Sequence, residues 1–262
     1  DVTHYMIDEW NPDEEFNVMI FQKRVKEIME DIYNRGKIPI LVGGTGFYIQ
    51  AVLNDIAFTK ENQGDEIRAD LQNLAKEKGA SYLHHELQKV DKESAEAIHP
   101  NNIKRVIRAL EYFQSTGQKF SDHNKEERQK GSPYNFLYLV LTMNRKVLYE
   151  RIDKRVDQMM EEGLVKEVKQ LLDAGYSRNL VSMQGLGYKE IASALFKECT
   201  MEEAVYRLKR DTRHFAKRQM TWFRRERDVA MINKDNFSNN HEIVNYIMKL
   251  AVEKGICSCR EG

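Results

Sequence analysis

The sequence predicts an α/β protein: a doubly wound parallel sheet interrupted by an all-helical insertion. Three observations carry this prediction. Ile38-Pro39-Ile40-Leu41-Val42 is a continuous apolar run that ends in Gly43-Gly44-Thr45-Gly46 and leads into a helix-like stretch over 47–53. Residues 60–128 hold several helical patches but no convincing strand. Strand character returns at Phe136-Leu137-Tyr138-Leu139-Val140-Leu141-Thr142. Helix, buried strand, glycine turn and helix is the rhythm of an open α/β sheet, and ligands of such sheets bind at the carboxyl ends of the strands.

Each element follows in order. His4-Tyr5-Met6-Ile7 reads as a short strand and Asn11-Pro12-Asp13 as a turn. Val18, Phe21, Val25, Ile28 and Ile32 then recur on one face at the helical period. Glu14 and Glu15 suit a helix N-terminus, and Gly36 suits a C-terminal cap. The apolar run starts at a proline, as a buried parallel strand allows. Helical patches follow at 66–78, 81–90, 94–98 and 102–115, bounded by Asn62-Gln63-Gly64 and by a polar run over 122–132. The core domain is thus drawn as 1–61 with 131–262, and the insertion as 62–130. Past the returning strand, helices are expected over 147–160, 164–174, 189–196, 201–227 and 241–254, with Gly163 and Gly175 as punctuation. A doubly wound sheet normally begins with a strand whose loop binds phosphate. Nothing precedes Asp1, so such a segment is expected outside this sequence.

Composition narrows the function classes. The chain has 262 residues, 41 basic and 41 acidic, with 41% hydrophobic residues, enough for a sizeable core. No stretch approaches ~18 consecutive apolar residues, so no membrane span is expected. Three cysteines cannot build a disulfide framework, and a cytoplasmic setting is expected. Cys257-Ser258-Cys259 has no partner motif for zinc. Balanced net charge conceals an uneven field. Residues 207–227 hold nine basic residues and two acids, a net +7, so the remainder sums to −7. Such an excess is the electrostatic footprint of a phosphate-binding surface.

Single motifs admit two readings. Gly43-Gly44-Thr45-Gly46 is a substrate-facing turn or merely a tight strand-to-helix connection; it is neither G-x-x-x-x-G-K-[ST] nor G-x-G-x-x-G. Lys104, Arg105 and Arg108 either hold nucleic-acid backbone or form a solvated helix face. Arg151 and Arg155, with Arg145 nearby, are spaced to clamp a pyrophosphate, or to pair with Glu150 and Asp153. Gln184-Gly185-Leu186-Gly187-Tyr188-Lys189 is a glycine loop with an exposed-looking aromatic, or a plain helix connector. In the last long helix Leu208, Phe215 and Trp222, with Ala216 and Phe223, form the expected core stripe, leaving a basic face outward.

Taken together and in this order, these segments resemble the tRNA dimethylallyltransferase (tRNA isopentenyltransferase) family. The matching residues are His4-Tyr5-Met6-Ile7-Asp8, Pro12-Asp13-Glu14, Phe21, the run from Lys37 through Tyr48, Ile98-His99-Pro100-Asn101-Asn102, Arg105 and Arg108-Ala109-Leu110-Glu111. The match continues through Arg151-Ile152, Arg155-Val156, Met159, Gln184-Gly185-Leu186-Gly187-Tyr188, Lys217-Arg218-Gln219, Thr221-Trp222 and Arg224.

The resemblance implies a P-loop NTPase-like parallel sheet core, its first strand absent here, with an all-helical insertion. It implies transfer of a dimethylallyl group from dimethylallyl diphosphate to the exocyclic amine of the adenine 3′ of a tRNA anticodon, with Mg²⁺. A stacked base must be flipped out for such chemistry. By resemblance Thr45 lines the channel beside the adenine, and Arg155, with Arg151 second, holds the pyrophosphate. Arg68, Lys104, Arg105 and Arg108 match tRNA contacts, as do Gln184, Gly185, Gly187, Tyr188, Lys189, Lys217, Arg218, Gln219, Thr221, Trp222 and Arg224. The partners implied are the anticodon stem-loop and the allylic diphosphate, with the protein a monomer. The family's P-loop and its proposed general-base aspartate are not in this sequence, so residues 1–262 alone are expected to transfer no prenyl group. Two rival readings stand beside this one: an adenylate isopentenyltransferase acting on free nucleotide, and a non-catalytic RNA-binding remnant.

Overall fold

The computed structural model describes residues 2–58 and 65–258. The expected boundary at Asn62-Gln63-Gly64 and Cys259 lie outside the described residues. The protein is a helix-rich α/β structure in two compact units, residues 1–49 with 134–262 and residues 50–133.

The first unit opens with irregular chain. Residues 4–7 do not form the expected strand, because Met6 and Asp8 adopt left-handed backbone conformations (φ 65° and 55°) that break an extended ladder. Helix α1 (Val18–Asn34) starts at Asn17, whose side chain accepts hydrogen bonds from the Met19 and Ile20 N–H groups, and ends at left-handed Gly36. The apolar run over 38–42 is likewise not a strand. Ile40 and Val42 are 80% and 87% exposed, and no backbone ladder pairs them among the described residues. Strand structure depends on a neighbour that local sequence cannot supply. The glycine turn then opens α2 (Gly46–Leu53), with the Thr45 carbonyl accepting from Tyr48 and Ile49 N–H.

Strand β1 (Tyr138–Thr142) pairs in parallel with β2 (Val229–Asn233), Tyr138 opposite Val229 and Thr142 opposite Asn233. β2 is not expected from the sequence, and α11 ends at Phe223 where the sequence predicts helix to 227. Between the strands run α8 (Arg145–Glu162), α9 (Leu164–Asp173), α10 (Tyr188–Leu195) and α11 (Met201–Phe223), and α12 (Asn240–Glu253) follows β2. Val156, Leu164, Val168, Met183, Ile191, Ala204 and Leu208 close the core of these helices. The expected stripe on α11 holds only in part. Leu208 and Phe223 are buried, whereas Phe215 and Trp222 are each 38% exposed.

The second unit is all-helical: α3 (Asp65–Lys78), α4 (Ala80–Val90), α5 (Lys92–Ala97), α6 (Ile103–Thr116) and α7 (Phe120–Gln129). Leu71, Leu83, Leu87, Ile98, Val106 and Leu110 form its core, with Phe120 packed against it. Helix α7 replaces much of the polar run read as a boundary. Asp91 is buried and ties three segments together. It accepts from Ser94 N (3.0 Å), Ser94 Oγ (2.6 Å) and Ser121 N (2.8 Å).

Candidate functional site

The glycine turn of the first unit is fastened to the C-terminal end of α11. Gln219 Nε2 donates to the Gly44 carbonyl at 3.0 Å. A Cβ on Gly44 would collide with the Gln219 amide, and a Cβ on Gly46 would collide with the Trp222 indole. At Gly46 the bulky indole leaves no room for a methyl, whereas at Gly44 the Gln219 amide would have to swing aside and give up its bond to the turn. Phe47 meets Trp222 edge-on at 6.5 Å between ring centroids. Thr45 sits exposed between these two contacts.

Charge pairing divides α11 into two halves. In its N-terminal half Arg207 pairs with Glu203, Lys209 with Asp157 (2.6 Å), Arg210 with Asp211 (2.8 Å) and Arg213 with Asp153 (2.5 Å). Two of these pairs bolt α11 to α8. Beyond them Lys217, Arg218, Arg224, Arg225 and Arg227 are exposed and have no carboxylate partner among the described residues. Arg218 lies over the Phe215 ring at 5.6 Å. The +7 count therefore overstates the field over most of the helix and understates its focus. The unpaired cations sit at the end that touches the glycine turn, where the helix C-terminus also favours positive charge.

Arg151 and Arg155 lie together on an exposed face of α8. Each is two residues, about 200° of helix rotation, from the Asp153 and Asp157 face that binds α11. Arg155 reaches Glu162 only at 4.0 Å between exposed groups, and Arg151 has no carboxylate partner among the described residues. Among the described residues no hydrogen bond or ion pair joins either to Thr45.

The glycine loop is built differently from its exposed-looking sequence. Gln184 Nε2 donates to the Arg178 carbonyl at 2.7 Å, and Gly185 N closes a turn on Ser182. Gly187 (φ 100°) donates to Glu190 Oε2 at 2.9 Å and starts α10. Tyr188 is half-buried and donates to Glu167; burial first, then that bond, push its phenol up to about 12. Lys189 pairs with buried Glu190 at 3.4 Å. Thr221 Oγ1 donates to the Lys217 carbonyl at 3.0 Å.

In the second unit Lys104 and Arg105 are exposed, while Arg68 and Arg108 converge on Glu111. Arg68 Nη2 approaches both carboxylate oxygens, at 2.9 and 3.2 Å, and Arg108 Nη1 lies 3.3 Å from Oε2. The sequence marks the arginines as candidate RNA contacts and gives Glu111 no role of its own. The i,i+3 spacing of Arg108 and Glu111 was the available signal. Among the described residues no three His, Cys, Asp or Glu side chains converge as a metal cage, and no helix is long and apolar enough to cross a membrane.

Comparison with known proteins gives a consistent picture. A protein of Lachnoclostridium phytofermentans named tRNA dimethylallyltransferase is 56% identical over 255 residues, covering 97% of this chain and 82% of that protein. One of Acetivibrio thermocellus with the same name is 48% identical over 243 residues, covering 93% and 78%. Among solved structures, the full-length tRNA isopentenylpyrophosphate transferase of Bacillus halodurans superposes with a TM-score of 0.68 at 41% identity, covering 97% of this chain and 80% of that one. A eukaryotic dimethylallyltransferase crystallised acting on tRNA gives a TM-score of 0.74 at 28% identity, covering 91% and 64%. The IPP transferase family model matches residues 1–226, and the chain belongs to that family.

Proposed function

We propose that this protein transfers a dimethylallyl group from dimethylallyl diphosphate to the exocyclic amine of the adenine 3′ of a tRNA anticodon. The observation that carries the reading is the glycine turn at Thr45, held by Gln219 and Trp222 against the unpaired basic end of α11. A small-residue turn beside a cluster of free cations suits a reacting base whose flanking phosphates must be held. Named relatives with this activity at 56% and 48% identity support it.

In the proposed reaction the adenine exocyclic nitrogen forms a bond to the allylic carbon. The carbon–oxygen bond to diphosphate breaks, its electron pair leaves with the diphosphate, and the amine's proton passes to the departing diphosphate or to water. Thr45 Oγ1 is assigned to accept a hydrogen bond from that amine and orient it. Arg155 and Arg151 are assigned to the diphosphate, whose growing negative charge is the chief thing to stabilise. Lys217, Arg218 and Arg224, with Gln219, Thr221, Trp222 and the 184–189 loop, are assigned to the RNA, as are Arg68, Lys104, Arg105 and Arg108 in the second unit. Mg²⁺ has no cage of side chains among the described residues. It would arrive with the diphosphate and would supply screening of the negative charge that grows there.

The test gives the natural gene product labelled dimethylallyl diphosphate and an anticodon stem-loop with or without the target adenine. Label on the adenine-bearing RNA alone, made by the gene product, is the expected result. RNA binding without any transfer by the gene product would leave only an RNA-binding protein. Transfer to free adenylate in place of the stem-loop would favour the nucleotide-modifying relative.

A further inference from the structure

The second unit contains a pocket of about 520 Å³ between α3 and α6. Its floor includes Ile107, and its rim carries Arg68, Lys76, Lys104 and Arg108. The single carboxylate among its walls is Glu111, which is 3% exposed. A buried carboxylate in a cation-rich pocket lowers the local positive charge. By charge alone it works against binding an anion there.

Its geometry says what it does instead. Glu111 Oε1 and Oε2 accept from Arg68 Nη2 (2.9 and 3.2 Å) and Oε2 also from Arg68 Nε (3.4 Å). Arg108 Nη1 reaches the same Oε2 at 3.3 Å. Two guanidinium groups are thus held against one oxygen, where mutual repulsion would otherwise drive them apart. Both remain more than a third exposed, at 38% and 37%. Arg68 Nη1 and Arg108 Nη2 have no acceptor among the described residues. Each guanidinium has five N–H donors in a fixed fork, so side-by-side arginines with free outer donors form a ready clamp for one tetrahedral anion.

We infer that Glu111 is a positioning residue that locks Arg68 and Arg108 into a paired clamp for one phosphodiester of the RNA backbone. The inference rests on the RNA-binding reading given above. Glu111 does not touch the RNA; it spares the arginines their conformational entropy and their repulsion at the moment of binding.

The test uses Glu111→Gln in the full chain, measuring affinity for an anticodon stem-loop RNA over a series of salt concentrations. The substitution keeps the shape and adds one unit of net positive charge. Simple electrostatics predicts equal or tighter binding; the clamp predicts on the order of tenfold weaker binding, with the salt slope reduced by about 1. Arg108→Ala should cost less in the Glu111→Gln background than in the parent, because the clamp is already lost. Wild-type chain that binds, with E111Q as tight or tighter, overturns the positioning role and leaves RNA binding intact. Wild-type chain that binds no RNA overturns the RNA reading and this inference with it. If E111Q fails to fold, Arg68→Lys takes its place. It keeps the charge and loses the fork, and unchanged affinity there also overturns the clamp.

Discussion

Gln219 and Gly44, 175 residues apart, are joined by a 3.0 Å hydrogen bond from the Gln219 amide to the Gly44 carbonyl. One helical turn on, Trp222 occupies the space that a side chain at 46 would need. The glycine turn and the basic helix end are therefore packed directly against each other. Gly46→Ala should destabilise the protein by about 1–3 kcal/mol through overpacking. The cost should shrink in a Trp222→Ala background, where the collision partner is gone. Urea unfolding of the four variants measures the coupling; additive costs would show that indole and turn do not touch.

The split of α11 into paired and unpaired halves predicts two kinds of variant. Arg218→Ala and Arg224→Ala should each reduce the salt slope of RNA binding by about 1. Lys209→Ala should leave the slope unchanged, because its ammonium is already held by Asp157 at 2.6 Å and is only 24% exposed. Equal slopes for all three variants would mean that the ion pairs do not decide which cations meet RNA.

Asp91 gives the second unit an acid-sensitive knot. Burial pushes its carboxyl up, but hydrogen bonds from Ser94 and Ser121 outweigh burial and hold it below the ordinary aspartate value. A depressed folded-state pKa adds stability above the unfolded value of 3.8 and loses it as pH falls through the folded one. Asp91→Asn should cost about 1–3 kcal/mol near neutral pH and flatten the acid limb of the stability curve below about 4. An unchanged acid limb would remove Asp91 as its source.

These pairings mark where the sequence stopped being informative. Helices were legible because their hydrogen bonds close within the segment: Val25 and Ile28 in α1, and Val106 and Leu110 in α6, are buried at the spacing their periodicity required. Strands were not, because a strand's partner lies elsewhere in the chain. Residues 38–42 have every local mark of a strand and form none. Val229–Asn233 is too short after its arginine run to show a period, yet it pairs with β1. Helix α7 is polar on nearly every face and reads as a linker. The site had the same limit. Composition disclosed the basic run, but which cations are free depends on Asp153 and Asp157, more than fifty residues away.

Tyr138 shows the same dependence on burial. Its hydroxyl is buried with no hydrogen-bond partner among the described residues, and burial, with Glu226 nearby, pushes the phenol up to about 12. Removing that oxygen should be neutral or stabilising by up to about 1 kcal/mol. A raised folded-state pKa means stability held below the unfolded value near 10 and lost as pH rises toward about 12. Tyr138→Phe should therefore soften alkaline unfolding in that window, seen by circular dichroism against pH. A loss of stability at neutral pH would mean that the hydroxyl has a partner after all.

Arg155 and Arg151 stand i,i+4 on the face of α8 turned away from the Asp153 and Asp157 ion pairs. Among the described residues that face has no carboxylate closer than Glu162 at 4.0 Å from Arg155, so both guanidiniums are available for an anionic ligand. Arg155→Ala should raise KM for dimethylallyl diphosphate and lower kcat/KM by about tenfold to a hundredfold, the loss of one charge-assisted contact. Stem-loop affinity should stay unchanged, because the RNA assignment lies on α11, the 184–189 loop and the second unit. Arg155→Lys should recover part of the loss, since it keeps the charge and gives up the fork. The reverse pattern, weakened RNA binding with diphosphate kinetics intact, would move this face of α8 from the small substrate to the large one.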